Sequence, residues 1–372
     1  MSHRLSALAL AAIVFLLACA SGRAPGFQEE PVVAGKKASA WLEILQKGET
    51  LKARRAGAIA LGLIGPKQPG VVDALAQAMR KDPEAEVRQA AAQSLRNMGP
   101  EAIDALEKLV EALKEDKDDT VRQVAAVALG RIGKSADTVV PALGAALKDK
   151  HAGTRSAAAE ALGQYAKDAR DAVPALVEAL ADKNNDRFTR AYAAITLGRT
   201  GGDADAIVPA LAKVLAENAP VELREVVAEV VGQFGSQATE AIPVLIPLVK
   251  EGPISLRRKA VVALGKIGPE ARGAVPVLRE VLAKESEKLL VCFAIRTLGS
   301  IGKDAREAVP DLIARSKSDQ ILEIRLAAIE QLGVIGPEAK DAVAILTQAQ
   351  KDGRAEIRDA ATEALKRIQP MP

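Results

Sequence analysis

Histidine, cysteine and aromatic residues are scarce in this sequence. It holds two histidines and two cysteines among 372 residues, and aromatic residues make up 2 %. A structural zinc site takes three or four histidine or cysteine ligands, and an enzymatic nucleophile needs a neighbouring base. The composition therefore predicts no metal site, no cofactor and no catalytic residues.

A dominant charge of one sign is also missing. The 51 lysines and arginines nearly balance 48 aspartates and glutamates, which leaves a formal net charge of +3. Sequence-independent binding to nucleic acid depends on dense positive charge facing the phosphates. The balance of charges argues against a nucleic-acid partner and does not identify another kind of partner.

The sequence has a single long apolar run, over residues 7–20, and it follows His3 and Arg4. The run is short for a membrane-spanning helix, which needs about 20 apolar residues. A basic start followed by a short apolar stretch predicts an export signal over residues 1–20.

The end of this run allows two processing routes. The segment Leu16-Leu17-Ala18-Cys19 resembles the bacterial lipoprotein box and predicts a lipidated Cys19, although a small residue is commoner at the position of Leu17. Ala18-Cys19-Ala20 also fits ordinary signal cleavage before Ser21. The chain is therefore predicted to be either a membrane-anchored lipoprotein of the cell envelope or a periplasmic or secreted protein, and it contacts a membrane only if Cys19 is lipidated.

Either route leaves Cys292 as the one free thiol of the mature chain, so no intramolecular disulfide is expected.

Residues 21–38 are polar and contain glycine and proline, which predicts a flexible tether.

From residue 39 to residue 370, the sequence repeats itself with a period of 33 to 35 residues. A unit of this size cannot bury an apolar face alone, so neighbouring units must stack. The period predicts an all-α solenoid of about ten two-helix repeats. The anchor residues that define the period are Leu61, Leu95, Leu129, Leu162, Leu197, Val231, Leu264, Leu298, Leu332 and Leu365.

Proline and glycine mark the helix ends within each repeat. Proline is tolerated in the first turn of a helix, where its missing N–H has no partner, and it predicts the start of the first helix, helix A. Glycine four residues after the anchor predicts a left-handed residue that ends the second helix, helix B. The prolines are 141, 174, 209, 243, 276 and 310; the glycines are 65, 99, 133, 201, 235, 268, 302 and 336.

Apolar residues of helix B lie at −8, −4, 0 and +3 from the anchor, which is one face of a helix and predicts the core. Alanine at −4 in eight repeats keeps the helices close. The opposite positions, −6, −2 and +2, are mixed in character and form what we call the helix-B stripe.

This pattern resembles HEAT repeats, in particular the short repeats of phycobilisome-lyase-like proteins, whose helix B reads V-R-x-x-A-x-x-A-L-G-x-I-G. The resemblance implies a right-handed α-solenoid with an extended groove. It also implies that arginine at −7 belongs to an inter-repeat hydrogen-bonded ladder, paired with aspartates at 82, 118, 149, 182, 319 or 352. The predicted ladder arginines are Arg54, Arg88, Arg122, Arg155, Arg190, Arg224, Arg257, Arg325 and Arg358.

The helix-B stripe is the predicted binding surface, and its charges are mixed. Basic members are Arg55, Arg131, Arg199, Arg258, Lys266, Arg296 and Arg367; acidic members are Glu160, Glu225, Glu229, Glu330, Asp359 and Glu363. Scattered apolar members fit a protein-binding groove with polar rims. The candidate groove residues are Arg131, Arg199, Glu229, Lys266, Arg296 and Glu330.

The sequence thus predicts a non-enzymatic scaffold that binds a protein partner. The alternative is a HEAT-fold accessory lyase or enzyme acting on a small ligand through Cys292, which a deep pocket around that residue would favour. Cys292 is also readable as a small buried residue. His151 follows Lys150 in a polar turn and is expected to be exposed.

Overall fold

The computed structural model describes residues 30–318 and 320–369, with the side chain of Ser318 left undescribed. The export signal, Cys19 and Asp319 lie outside the described residues. Within them the chain forms twenty α-helices, and none combines the length and apolarity that crossing a bilayer requires. In chain order they are α1 Ala38–Lys47, α2 Leu51–Ile64, α3 Val71–Lys81, α4 Ala85–Met98, α5 Leu106–Glu115, α6 Asp119–Ile132, α7 Ala136–Ala146, α8 Ala152–Tyr165, α9 Val173–Ala181, α10 Arg187–Thr200, α11 Ala204–Ala216, α12 Val221–Gln233, α13 Ile242–Lys250, α14 Ile254–Ile267, α15 Val275–Lys284, α16 Lys288–Ile301, α17 Val309–Ser318, α18 Leu322–Ile335, α19 Val343–Ala349 and α20 Ala355–Ile368.

Odd-numbered helices are the A helices and even-numbered helices are the B helices of ten consecutive pairs. The predicted all-α solenoid is confirmed. The chain divides into two compact units, residues 1–108 and residues 109–372.

The first unit opens with a short β-hairpin inside the stretch predicted as a tether. Strands β1 (Val32–Val33) and β2 (Lys36–Lys37) pair antiparallel. The indole N–H of Trp41 on α1 donates to the Val33 carbonyl at 2.9 Å, and Trp41 is buried. From Glu30 onward, therefore, the chain is folded against α1, because one large aromatic side chain both fills the core and satisfies a strand carbonyl.

The periodic core is confirmed by burial. Nine of the ten anchors are fully buried, and so are all eight alanines at −4. The tenth anchor, Leu365, is only half-buried. It lies on α20, and no described helix follows to cover it.

All eight predicted glycine stops have a positive φ, which confirms the helix-B ends. Gly133 and Gly201 adopt the predicted left-handed conformation, whereas Gly65, Gly99, Gly268, Gly302 and Gly336 have extended ψ angles. Five of the glycines begin a 3₁₀ segment that leads to the next A helix: Gly99–Ala105, Gly235–Ala241, Gly268–Ala274, Gly302–Ala308 and Gly336–Ala342. A sixth such segment, Ala166–Ala172, begins with alanine.

Two of the proline assignments are wrong. Pro174, Pro243, Pro276 and Pro310 lie at the second residue of their helices, as expected. Helix α7, however, begins at Ala136 and helix α11 at Ala204, so that Pro141 and Pro209 lie inside them. The glycines that precede these two helices, Gly133 and Gly201, have ψ of 26° and 31°, whereas Gly268 has ψ of −138°. Because the chain turns differently after Gly133 and Gly201, a regular α-helix begins five residues before each of these two prolines.

Successive B helices pack closely through the glycine that follows the anchor. A Cβ atom on Gly130 of α6 would lie 2.8 Å from Ala161 Cβ of α8, and one on Gly333 of α18 would lie 2.7 Å from Ala364 Cα of α20. Where the facing residue is threonine or serine, its hydroxyl donates to a carbonyl of the preceding B helix, as Thr297 does to Val261 at 3.0 Å. The repeat thus needs glycine here for helix packing and not for a turn.

Candidate functional site

Arginine at −7 joins several repeats to the next one through a carboxylate 27 or 28 residues downstream. Arg122 Nε donates to Asp149 Oδ2 at 2.7 Å and its Nη2 donates to Oδ1 at 2.9 Å, a bidentate pair. The same arginine donates to the Asp116 carbonyl at the end of its own A helix. The other pairs of this kind are Arg54–Asp82, Arg190–Glu217, Arg257–Glu285 and Arg325–Asp352.

Each aspartate in this arrangement serves two arginines. The Asp149 side chain accepts from Arg122 of the preceding repeat, and the Asp149 carbonyl accepts from Arg155 of its own repeat at 2.9 Å. Asp352 accepts from Arg325 and Arg358 in the same way. The predicted partners Asp82, Asp149 and Asp352 thus bind an arginine of the preceding repeat through their side chains, and Arg122 also binds Asp119 of its own helix.

The pair at Arg122 is held in a partly desolvated site. Burial alone would raise the pKa of Asp149, but hydrogen bonds from Arg122 and from the His151 amide outweigh burial and hold this pKa below its usual value. The hydrogen bonds that Arg122 donates to Asp149 raise the pKa of Arg122 above its already high ordinary value. Both groups are charged at neutral pH.

The ladder is interrupted at two arginines. The Nε atoms of Arg155 and Arg224 are buried without a hydrogen-bond partner among the described residues. The carboxylates 27 residues after these two arginines, Asp182 and Glu251, are both exposed. Asp118 caps α6 by accepting from the Val121 amide, and Asp182 accepts from the Asn184 amide. Glu217 and Glu285 were missed as partners because only aspartates were considered.

All six candidate groove residues are exposed on the B helices of the second unit. The structure brings Glu229 and Lys266 together in one cavity of about 340 Å³. Arg131 lines another, of about 420 Å³, with Glu160 and Val127. Arg199 extends toward Gly163 on α8. Arg296 and Glu330 are exposed on α16 and α18.

The cavity of about 340 Å³ lies between α12, α14 and α16 and has an apolar interior with a charged rim. Its walls comprise Ala228, Val262, Ala263, Leu289 and Phe293. Leu289 is 45 % exposed although it is a large aliphatic residue. An exposed apolar concavity with polar edges is the usual form of a binding site.

Ion pairs hold most of the rim in place. Lys259 Nζ lies 2.6 Å from Glu229 Oε2, and this hydrogen bond holds the pKa of Glu229 below its usual value, with a smaller contribution from Lys266. Arg258 makes two hydrogen bonds to Glu287, which also caps α16 by accepting from the Leu290 amide at 2.7 Å. Ser255 donates to Glu225 at the opposite end of the cavity from Lys266.

Neither Cys292 nor His151 lines the cavity between α12, α14 and α16. Cys292 is half-buried on α16, and the cavity is lined by its neighbours Leu289 and Phe293 and not by Cys292. His151 is half-buried at the N-cap of α8, where Nδ1 lies 3.3 Å from Thr154 Oγ1, so the expectation that it is exposed is wrong. Among the described residues, no group of three acidic, histidine or cysteine side chains could hold a metal ion.

Six of the ten residues that line this cavity were missed by the stripe as it was defined. Ser255 and Leu289 lie at −9 from their anchors, and Lys259 and Phe293 lie at −5. Positions −9, −5, −2 and +2 are spaced by three or four residues and share one helical face. The helical period alone was sufficient to find them.

Comparison with known proteins identifies the fold. A family model described as HEAT repeats matches residues 38–130, 106–198, 140–215, 208–291 and 275–366. No curated protein matches. Similar solved structures include one described as Kap95p binding to RanGDP, with a TM-score of 0.53, and one of importin beta, with a TM-score of 0.55.

Each of these two proteins is 15 % identical to this chain in sequence, and each similarity covers 89 % of this chain. The chain spans only 51 % and 53 % of those proteins' own chains, so the likeness concerns the solenoid fold. The repeat period, the buried anchors and the family match over most of the length agree: this chain belongs to the family of HEAT-repeat proteins.

Proposed function

We propose that this protein is a non-enzymatic scaffold that binds a protein partner on the helix-B stripe of its second unit. The observation that carries the proposal is the cavity between α12, α14 and α16. Leu289 stays exposed on its apolar wall, and ion pairs order its rim before any partner arrives. Preordered side chains lose little entropy on binding.

The solenoid neighbours support a protein partner by analogy of fold. In the structure described for Kap95p, binding induces the switch loops of RanGDP to adopt the GTP-bound conformation. A solenoid of the same class can therefore act by holding another protein. The geometry gives less support to a lyase or enzyme centred on Cys292, because that thiol does not line the cavity beside it.

Two finer assignments belong to the same proposal. The helix-B motif supports the short, phycobilisome-lyase-like type of HEAT repeat, as in Val121-Arg122 followed by Ala128-Leu129-Gly130. The apolar run and Cys19 support export, with either a lipid anchor in the cell envelope or release into the periplasm or medium.

Site-specific photocrosslinking in the native cell tests the scaffold. A photoreactive residue at Leu289 on the cavity wall should form an adduct with one protein, whereas the same residue at Lys284, exposed on helix A α15, should not. Equal adducts from both positions, or none from Leu289 in well-expressed folded protein, would count against a partner on this surface.

A further inference from the structure

The stripe is nearly neutral in total, but its charges are grouped along the second unit. Acidic residues Glu225 and Glu229 lie on α12, whereas the charged stripe residues on α14 and α16 are all basic. These basic residues are Arg258, Lys266 and Arg296. An overall tally of charges conceals this local concentration.

Two of these cations form no ion pair with a described residue, although the charge of Lys266 helps to lower the pKa of Glu229. Arg258 is paired with Glu287, but no carboxylate among the described residues forms an ion pair with Lys266 or Arg296. The aliphatic stem of Lys266 rests against Gly232, where a Cβ would lie 3.0 Å from Lys266 Cδ. The stem therefore has a defined place while its ammonium group stays exposed.

Neighbouring B helices run in the same direction, since Ser255 meets Glu225 and Lys259 meets Glu229. Lys266 follows the cavity-lining residue Val262 by four residues on α14, and Arg296 follows the cavity-lining residue Phe293 by three residues on α16. Both cations therefore lie toward the same end of the cavity, where two cations attract an anion more strongly than either does alone.

We infer that this cavity binds a protein segment carrying a large apolar side chain and, nearby, acidic residues. The inference rests on the proposed scaffold function and names the chemistry of its partner. The apolar side chain enters between Val262, Leu289 and Phe293, and the carboxylates lie at the Lys266 and Arg296 end. The volume is at the lower limit of ligand pockets, about 300 Å³, which suits one or two side chains.

The spacing within the segment follows from the helix separation. Neighbouring packed helices are about 10 Å apart. An extended segment advances about 3.3 Å per residue, so a carboxylate roughly three positions from the apolar residue reaches the second cation. Acidic residues at the Glu225 end would instead meet like charge, which sets the direction of the segment.

Selection from a library of random displayed peptides on the full chain tests this inference. Peptides enriched on the wild-type protein should combine an aromatic or large aliphatic residue with aspartate or glutamate. The variant carrying Lys266→Glu and Arg296→Glu should bind the same peptides about tenfold or more weakly, since two exposed attractions become repulsions. Selection on that variant should enrich lysine and arginine in place of the acidic residues.

Lys213→Glu is the matched control, because Lys213 is an exposed cation on the A helix α11, outside the helix-B stripe. It should leave the selected peptides bound as before. Enrichment without an acidic bias, or equal binding by the double variant, would overturn the inference, and so would failure to enrich any peptide. Binding of decanoate alone, lost in the double variant, would also overturn it in favour of a small amphiphile.

The two proposals fail in different ways. If the Leu289 photoprobe captures one protein but selection shows no preference for acidic peptides, the scaffold stands and its partner has another chemistry. If the photoprobe captures no protein, the scaffold itself is contradicted.

Discussion

At the residue scale, Ala166 occupies the position where eight of the repeats end helix B with glycine. Its φ is 48° and its ψ is −117°, a region that glycine adopts readily and that strains a residue with a Cβ atom. We expect Ala166→Gly to raise the free energy of unfolding by about 1 kcal/mol, because relief of strain exceeds the extra entropy of glycine in the unfolded chain. Urea unfolding measures this change.

Ala145→Gly provides the control for that substitution. Ala145 is exposed within α7, where the backbone is helical, so the change should lower stability by about 0.5–1 kcal/mol. Equal losses in the two variants would show that Ala166 is not strained.

Arg122 illustrates the cost of an unpaired charge in the ladder. Its side chain is 6 % exposed and that of Asp149 is 12 % exposed. Arg122→Ala should therefore lower the free energy of unfolding by about 3 kcal/mol, since the Asp149 carboxylate loses two donors but stays buried. Binding at the helix-B stripe should persist wherever the variant is folded.

The stability measurement on Arg122→Ala needs an exposed arginine as its control. Arg354→Ala changes an exposed arginine and should alter stability by no more than about 0.5 kcal/mol. If Arg122→Ala abolished partner binding while melting at the wild-type temperature, the arginine would belong to the binding surface instead.

The depressed pKa of Asp149 makes a prediction about acid. Below about pH 5 the unfolded chain begins to take up a proton at this aspartate, whose ordinary pKa is near 4, before the folded chain does. The stabilisation from the pair is therefore complete at neutral pH and is lost as the pH falls through the lowered folded value. Asp149→Asn should flatten the fall in stability between about pH 5 and pH 2, as urea titrations at each pH would show. A slope equal to wild type would mean that other carboxylates, such as Asp352, dominate the acid response.

At the element scale, two helical glycines are expected to respond in opposite ways to the same change. A Cβ on Gly130 of α6 would meet Ala161 of α8 at 2.8 Å, whereas a Cβ on Gly144 of α7 would meet only Ala172 Cβ at 4.0 Å. Gly130→Ala should destabilise by about 1–3 kcal/mol through overpacking. Gly144→Ala should stabilise by about 0.5–1 kcal/mol through helix propensity. Melting temperatures of both variants test the pair, and a gain in both would contradict close packing of the B helices.

The helix boundaries show where periodicity alone is insufficient. Helix B was predictable because its buried positions recur in every inner repeat and its closing glycine in all inner repeats but the one that ends at Ala166. The first residue of helix A was harder to predict at α7 and α11. A proline is compatible both with the first turn of a helix and with its sixth residue. The ψ angle of the preceding glycine decides between them, and no residue type in the sequence reports that angle.

At the scale of the whole molecule, membrane attachment depends on a residue outside the described part of the chain. If Cys19 carries a lipid, Cys19→Ala should move the protein from the membrane fraction to the soluble fraction of fractionated cells. Cys292→Ala, which removes the other cysteine, should leave it on the membrane. Unchanged retention of the Cys19 variant would contradict the lipoprotein interpretation.

The sequence by itself was sufficient for the repeat, the fold class and the buried face of helix B. Each of these depends on spacing along one chain, and spacing is visible when ten copies agree. The burial of alanine at −4 and of leucine at the anchor was predictable without knowing which residues they contact, because any stacked helix pair must bury them.

Only the tertiary structure decided which charges meet and which remain unneutralised. Arg258 forms an ion pair with Glu287, whereas no described carboxylate forms one with Lys266. Both outcomes depend on the offset of about 30 residues between adjacent B helices. The cavity likewise exists only where three helices bring Val262, Leu289 and Phe293 together. Periodicity reports what each helix buries, but recognition arises between helices, where side chains distant in sequence come within contact.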